Sequence, residues 1–299
     1  MAEDVQALVA NSDLRNMAQI MRPKESDPPI LMPTVREAVR QWMIEMAAEA
    51  ELRAVGLKPR RTALFYGPPG TGKTTLAHHI AARAGLPLVL IDMSALVGMY
   101  LGETGKNINR LFRAVEDQHD RMVLLLDEFD AVASKRGVMT NSGGEREMNA
   151  VVIHLLQFID KFPGMLIAAT NRADGLDPAI WRRFGMCLEI ADPDDDCRFA
   201  ILARYLDPMK LPDQSMDTLV DLTSGASPAL LRMFAEGIKR DLVLAPRYSQ
   251  DVGAAAVIGR VTASVRPHEG STIPPLWRDR WAIEEAGRIA WPPTLGGAT

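Results

Sequence analysis

Eight residues constrain this chain more than any others: Gly67-Pro68-Pro69-Gly70-Thr71-Gly72-Lys73-Thr74. They fit the spacing GxxxxGK[ST], with an apolar run (TALFY, 62–66) before them and a helix-forming stretch (73–84) after them. The glycines let the backbone turn tightly and aim successive N–H groups at phosphate oxygens. The helix that follows adds its positive N-terminal end. Residues Gly67 to Thr74, with Thr75 beside them, are therefore expected to cradle the phosphates of a nucleotide. Lys73 is expected to reach the β- and γ-phosphates, and Thr74 to give its hydroxyl to Mg²⁺.

Three further signals lie downstream at spacings that suit such a loop. The run Val123-Leu124-Leu125-Leu126 ends in Asp127-Glu128. At the end of a buried strand, Asp127 is expected to hold Mg²⁺ through its water shell and Glu128 to polarise an attacking water. In Ala168-Ala169-Thr170-Asn171-Arg172, a polar Asn closes a second apolar run. Such a group needs a partner, and the attacking water or the γ-phosphate would supply one. Finally, Arg182-Arg183-Phe184 follows closely. Paired arginines usually face solvent, but in this series they are candidates for arginine fingers, worth about 10³-fold or more in rate.

The runs at 62–66, 88–91, 123–127, 166–170 and 187–190 are short and apolar on both faces, as in buried parallel strands. Helical stretches at 73–84, 104–119 and 145–160 alternate with them. The alternation predicts an α/β fold with a doubly wound parallel sheet, and ligands then bind beyond the carboxyl ends of its strands. Before it, residues 33–54 read as one helix, with Val35, Val39, Trp42, Met43 and Met46 at helical spacing. After the sequence ADPDD the strands stop, and 194–206, 215–223, 227–244 and 252–265 look helical. The expected organisation is an N-terminal arm (1–32), a nucleotide-binding domain (33–192), a helical lid (193–265) and a Pro/Trp-rich C-terminal tail (266–299) that packs on something.

Composition excludes some classes. With 47% hydrophobic and 24% charged residues, 299 residues can bury a real core in about two domains. A net charge of -4 argues against a dedicated nucleic-acid surface. No apolar run approaches the roughly 20 residues of a membrane span, and no leader is visible. Cys187 and Cys197 belong to no CxxC pair and are expected to be reduced thiols. A cytoplasmic protein is expected.

Taken together, GPPGTGKTT, LLLDEFDAVASKRG, GGEREMNAVVIHLLQFID and IAATNRADGLDPAIWRRF resemble the AAA clade of AAA+ ATPases. The pattern is similar to the group containing katanin, spastin and the ESCRT-disassembly ATPases, whose fingers form a compact RRF. The resemblance spans roughly residues 52–245. It implies a five-stranded P-loop domain with a small all-helical lid, ATP between them, and a hexameric ring in which Arg182 and Arg183 serve the neighbour's site. It also picks out Ser94 to Thr104 as the central pore loop, with Tyr100 projecting into the channel beside Met99 and Leu101. A rigid, amphipathic aromatic suits gripping varied polypeptide backbones. Residues 136–146 resemble a second pore loop. Asp160 falls at a position of inter-subunit contact, but Lys161 replaces the usual glycine. Ser224 to Leu230 is similar to the family's lid motif, which in this clade lacks the lid arginine of other relatives; Arg232 lies five residues beyond Ser227.

The partners expected are other copies of the chain and a protein substrate or separate effector, recruited through the arm, the tail or the effector itself. HExxH is absent, which removes a fused zinc protease. Two other functional classes remain open. A nucleic-acid motor or loader would use Lys106, Arg110 and Arg113, against the aromatic loop and the acidic balance. A regulatory switch would change shape with ATP and recruit an effector without threading.

Overall fold

The computed structural model describes residues 6, 8, 10–94, 104–133, 143–268 and 271–295. The pore-loop residues Met99, Tyr100 and Leu101 lie outside these, as does the part of the second pore loop at 136–142. The chain divides into two compact units. The first takes in the described residues of 1–29, 33–67 and 73–190, and the second Ile30–Met32, Pro68–Gly72 and the described residues from Ala191 onward.

In the first unit the five apolar runs pair in parallel. They form β2 (Thr62–Tyr66), β3 (Leu88–Asp92), β4 (Val123–Asp127), β5 (Met165–Thr170) and β6 (Met186–Glu189), in the order β3-β4-β5-β2-β6. Leu64, Val89, Leu124, Leu126, Leu166 and Ala168 sit in one core with Phe129 and Phe158. On the opposite face Ala63, Phe65, Leu125, Ile167 and Ala169 are also fully buried, which is why β2, β4 and β5 do not alternate polar and apolar, whereas the outer strand β6 exposes Cys187 and Glu189. Crossover helices connect them, among them α4 (Lys73–Arg83), α5 (Thr104–Glu116) and, after the short α6 (Asp130–Ala133), α7 (Gly143–Lys161).

The N-terminal stretch departs from the expected arm. It forms α1 (Ser12–Met17) and β1 (Gln19–Met21), and β1 pairs antiparallel with Leu88–Leu90 as a sixth, edge strand. Leu8 and Leu14 are fully buried in the core. His78 Nε2 lies 2.8 Å from the Arg22 carbonyl oxygen and ties the stretch to α4. A three-residue strand gives almost no periodicity, and its stability comes from covering an open sheet edge. The expected single helix at 33–54 is two, α2 (Pro33–Ala47) and α3 (Glu49–Ala54), broken at Ala48.

The second unit is built on α9 (Asp195–Leu206), α10 (Asp213–Leu222), α11 (Pro228–Leu244) and α12 (Ala254–Ser264). Ser227 caps α11 by accepting from Leu230 N at 3.3 Å. The C-terminal stretch is part of this core. Leu276, Ala282 and Ala286 of α13 (Pro275–Arg278) and α14 (Arg280–Ala286) are buried in it. Trp277 donates to the Val265 carbonyl and Trp291 to the Val252 carbonyl, both at 2.7 Å. Strands do not quite stop here: Met209–Lys210 (β7) pairs antiparallel with Thr294–Leu295 (β8). Two-residue strands are set by main-chain pairing alone, so no local pattern announces them. Among the described residues, no helix is long and apolar enough to cross a membrane.

Candidate active site

The glycine-rich loop leaves the C-terminal end of β2. Gly67 has φ 145°, and a Cβ there would stand 2.2 Å from the Ile190 carbonyl oxygen, so no side chain is tolerated. Gly70 and Gly72 also have positive φ, 79° and 93°. Thr71 ties the turn by donating to the Pro68 carbonyl at 3.0 Å. In the second unit the Gly70 carbonyl accepts from Ala229 N at 3.2 Å, beside Ser227.

Lys73 opens α4. Its side chain is buried, and Nζ donates to the Gly67 carbonyl at 2.8 Å, so the ammonium is curled inside the loop. A buried cation is costly unless its donors are satisfied, and this carbonyl supplies part of that. Thr75 on the first turn is exposed.

Parallel pairing brings the other residues to the same edge of the sheet. The register matches Tyr66 with Thr170, so Gly67 and Asn171 leave the sheet side by side. Leu126 matches Ala168, which sets Asp127 next in line. Thr74 Oγ1 donates to Asp127 Oδ2 at 2.8 Å. The hydroxyl and carboxylate form an all-oxygen pair at hydrogen-bond distance, which fits a hard divalent cation such as Mg²⁺.

Glu128 is exposed and has φ 51°, the left-handed region that a side chain disfavours by roughly 1–2 kcal/mol. Two bonds hold it there. Its own N–H donates to Asp127 Oδ1 at 2.9 Å, and Phe129 N donates to the Ala169 carbonyl at 2.9 Å, with Phe129 fully buried. The turn lifts the Glu128 side chain away from the core, just past a strand whose first four residues are buried. Strain of this kind is a mark of functional sites.

Asp130 was not singled out by sequence, yet it joins two of the candidate strands. Its Oδ1 accepts from Thr170 Oγ1 at 2.8 Å and more loosely from Asn171 N at 3.4 Å. Thr170 Oγ1 in turn accepts from Arg172 N at 3.1 Å. The end of β5, and with it the exposed Asn171, is fastened to the turn that carries Glu128. The signal available was the second aspartate of Asp127-Glu128-Phe129-Asp130, three residues after the first.

Arg182 and Arg183 stand apart from this group. They follow α8 (Pro178–Trp181), which Asp177 caps by accepting from Ala179 N at 2.8 Å. Thr62, the first residue of β2, pins the turn by donating to the Arg183 carbonyl at 3.3 Å and accepting from Gly185 N at 3.0 Å. The arginines therefore sit beyond the N-terminal ends of β2 and β6, at the sheet edge opposite the glycine-rich loop. Arg183 is ion-paired with Asp160, whereas Arg182 is exposed with no partner among the described residues. Both line a cavity of about 540 Å³. In the second unit, Arg232 is exposed, pairs with Glu236 at 2.8 Å and lies over the Tyr205 ring at 5.3 Å.

Comparison with known proteins agrees with this arrangement. Residues 63–192 match the family model described as "ATPase family associated with various cellular activities (AAA)". The chain is 34% identical over 248 residues to a proteasome-activating nucleotidase of Pyrococcus abyssi, which covers 75% of this chain and 62% of that protein. It is 40% identical over 163 residues to the Methanococcus vannielii protein of the same name, covering 52% of this chain and 40% of that one. An uncharacterised AAA family ATPase of Sinorhizobium fredii is 45% identical over 158 residues, 52% of this chain and 45% of that protein. The chain thus spans less than two thirds of the length of these relatives. The matched region holds the glycine-rich loop, both acidic strand-end residues and Asn171 within the parallel part of the sheet, and by it residues 63–192 are an ATPase domain of the AAA type.

Proposed function

We propose that this ATPase is Mg²⁺-dependent and assembles with copies of itself into a ring, hexameric by family resemblance. We further propose that it couples hydrolysis to unfolding, disassembly or remodelling of a protein. The observation that carries the ring is the position of the arginines. Arg182 and Arg183 precede β6 and are pinned to the first residue of β2, whereas Gly67 and Lys73 follow its last. A five-residue strand spans roughly 16 Å, well beyond the reach of an arginine side chain. The arginines therefore have no route to a nucleotide on their own loop, and a neighbouring copy supplies the geometry they need.

Each residue then has one task. The loop from Gly67 to Thr75 binds the phosphates, with Lys73 on the β- and γ-oxygens. Thr74 and Asp127 would hold Mg²⁺, which when bound neutralises charge on the phosphate oxygens. Glu128 orients the attacking water and takes its proton, and Asn171 holds that water or the γ-phosphate. Arg182 and Arg183 stabilise the charge that develops on the phosphate of the adjacent copy. Removing a finger should cost about 10³-fold in rate, or about 4 kcal/mol of barrier. Met99, Tyr100 and Leu101 are proposed to grip the polypeptide. The name of these relatives, proteasome-activating nucleotidase, supports a protein as the thing acted on.

The test is specific ATPase activity against protein concentration. Activity should climb as copies assemble, and Arg182→Ala should collapse it at every concentration. A monomer whose activity is flat and indifferent to Arg182 would refute the ring. Tyr100→Ala should keep ATPase activity and abolish remodelling; retention of both would transfer the assignment to a switch that recruits an effector.

A further inference from the structure

The cavity beside the arginines carries more charge than two fingers need. It opens at the N-terminal edge of β2, β5 and β6, and seven cations line it against two carboxylates. Four cations are held inside the subunit. Arg53 and Arg61 share Glu49, at 2.7 and 2.6 Å, Arg60 pairs with Glu45 at 2.5 Å, and Arg183 pairs with Asp160. Three are not: Lys58, Lys161 and Arg182 are exposed, and none has a carboxylate partner among the described residues. Like charges gathered round one cavity repel, so the arrangement is stabilised by an anion that brings several oxygens at once.

The wall is also stiff. Trp42 is fully buried and donates through Nε1 to the Arg60 carbonyl at 2.5 Å, and Glu45 accepts the Arg60 N–H at 2.7 Å. The stem of Arg60 packs so closely on Gly185 that a Cβ there would stand 2.8 Å from the Arg60 Cβ. Phe162 and Phe184 are buried beneath. A cavity of about 540 Å³ is large enough for a triphosphate, and a preorganised cationic wall suits one.

We infer that this basin is a polyphosphate-binding site in its own right, in which Lys58 and Lys161 join Arg182 on the phosphate oxygens of a ligand not held by this subunit's own glycine-rich loop. The ligand is the triphosphate of a nucleotide on an adjacent copy or a free polyphosphate. The inference rests on the ring reading only for the first of these sources. Lys161 is the informative residue, because its position follows Asp160 at the end of α7 and a glycine there would offer no cation.

The experiment uses the full chain with Lys73→Ala, which disables the glycine-rich loop, and tripolyphosphate as the probe in titration calorimetry. Saturable binding is expected, weakening with salt. Lys161→Ala or Lys58→Ala in that background should weaken it about tenfold each, the lower range for hydrogen bonds to charged groups, while Lys161→Arg should retain it. No saturable binding, binding indifferent to both lysines, or preference for an acidic peptide over tripolyphosphate would overturn the inference. Mixing then separates the sources. Subunits with Lys161→Ala and an intact loop are combined with Lys73→Ala subunits that keep Lys161. Recovery of ATPase activity in the mixture assigns the basin to the neighbour's nucleotide. Tripolyphosphate binding without recovery assigns it to a free polyphosphate. Activity that is flat with concentration while tripolyphosphate still binds would refute the ring and leave the basin standing.

Discussion

Asp130→Ala tests whether the site is held together as the hydrogen bonds indicate. Thr170 is 1% exposed, so its hydroxyl has no water to turn to when the Asp130 carboxylate is removed. Leaving one buried polar group unsatisfied costs about 1–3 kcal/mol. At about 2–4 °C per kcal/mol for a domain of this size, thermal unfolding should fall by roughly 2–12 °C. The same change frees the end of β5 that carries Asn171. kcat should drop about tenfold or more, equivalent to about 1.4 kcal/mol of barrier, while nucleotide affinity, set by the loop at Gly67 to Thr74, should hold. Asp130→Asn keeps an acceptor oxygen for Thr170 and should recover most of the stability. The assays are differential scanning fluorimetry, steady-state ATPase kinetics and binding of a fluorescent nucleotide. An Asp130→Ala protein with unchanged melting temperature and unchanged kcat would refute the reasoning, as would an Asp130→Asn protein as unstable as the alanine variant.

Other outcomes follow from the same geometry. Glu128→Gly relieves a left-handed φ of 51°; against the entropy that glycine adds to the unfolded chain, the net gain should be on the order of 0.5–1 kcal/mol. Calorimetry should show a higher melting temperature together with hydrolysis lost by about 10²-fold or more, and a variant that melts lower would contradict the strain. The acid side of the stability profile should depend on Glu45, whose carboxyl is pulled below its usual range by hydrogen bonding to the Arg60 guanidinium. A depressed folded-state value means the contribution is present above the ordinary carboxylate pKa of about 4.3 and is lost as pH falls below it. Glu45→Gln should therefore lower the melting temperature at pH 7 and flatten its decline below about pH 4.5; an unchanged slope would show that the pair contributes nothing.

What could be read from the chain alone was whatever its local spacing dictates. The loop from Gly67 to Thr74 announces itself because three glycines, a lysine and a hydroxyl must stand at set intervals on one turn. Asp127 and Asn171 were legible because a parallel strand buried on both faces is continuously apolar, and a polar residue at its end marks the sheet edge where ligands bind. The helices of the second unit showed in their 3.6-residue period.

Only the tertiary structure decided the rest, because those features depend on partners distant in sequence. The edge strand at Gln19–Met21 exists because β3 has an open side, and nothing within three residues says so. Proline and tryptophan at the C-terminus read as a tail, until Trp277 finds the Val265 carbonyl and Leu276 the helical core. Asp130 is one acid among many until Thr170, forty residues on, meets it. Adjacent Arg182 and Arg183 are equivalent in sequence; the fold pairs one with Asp160 and leaves the other beside Lys58 and Lys161 in a cationic basin. Local motifs name the chemistry because their geometry is carried by neighbouring bonds, whereas long-range pairing chooses which charges are left to meet a ligand.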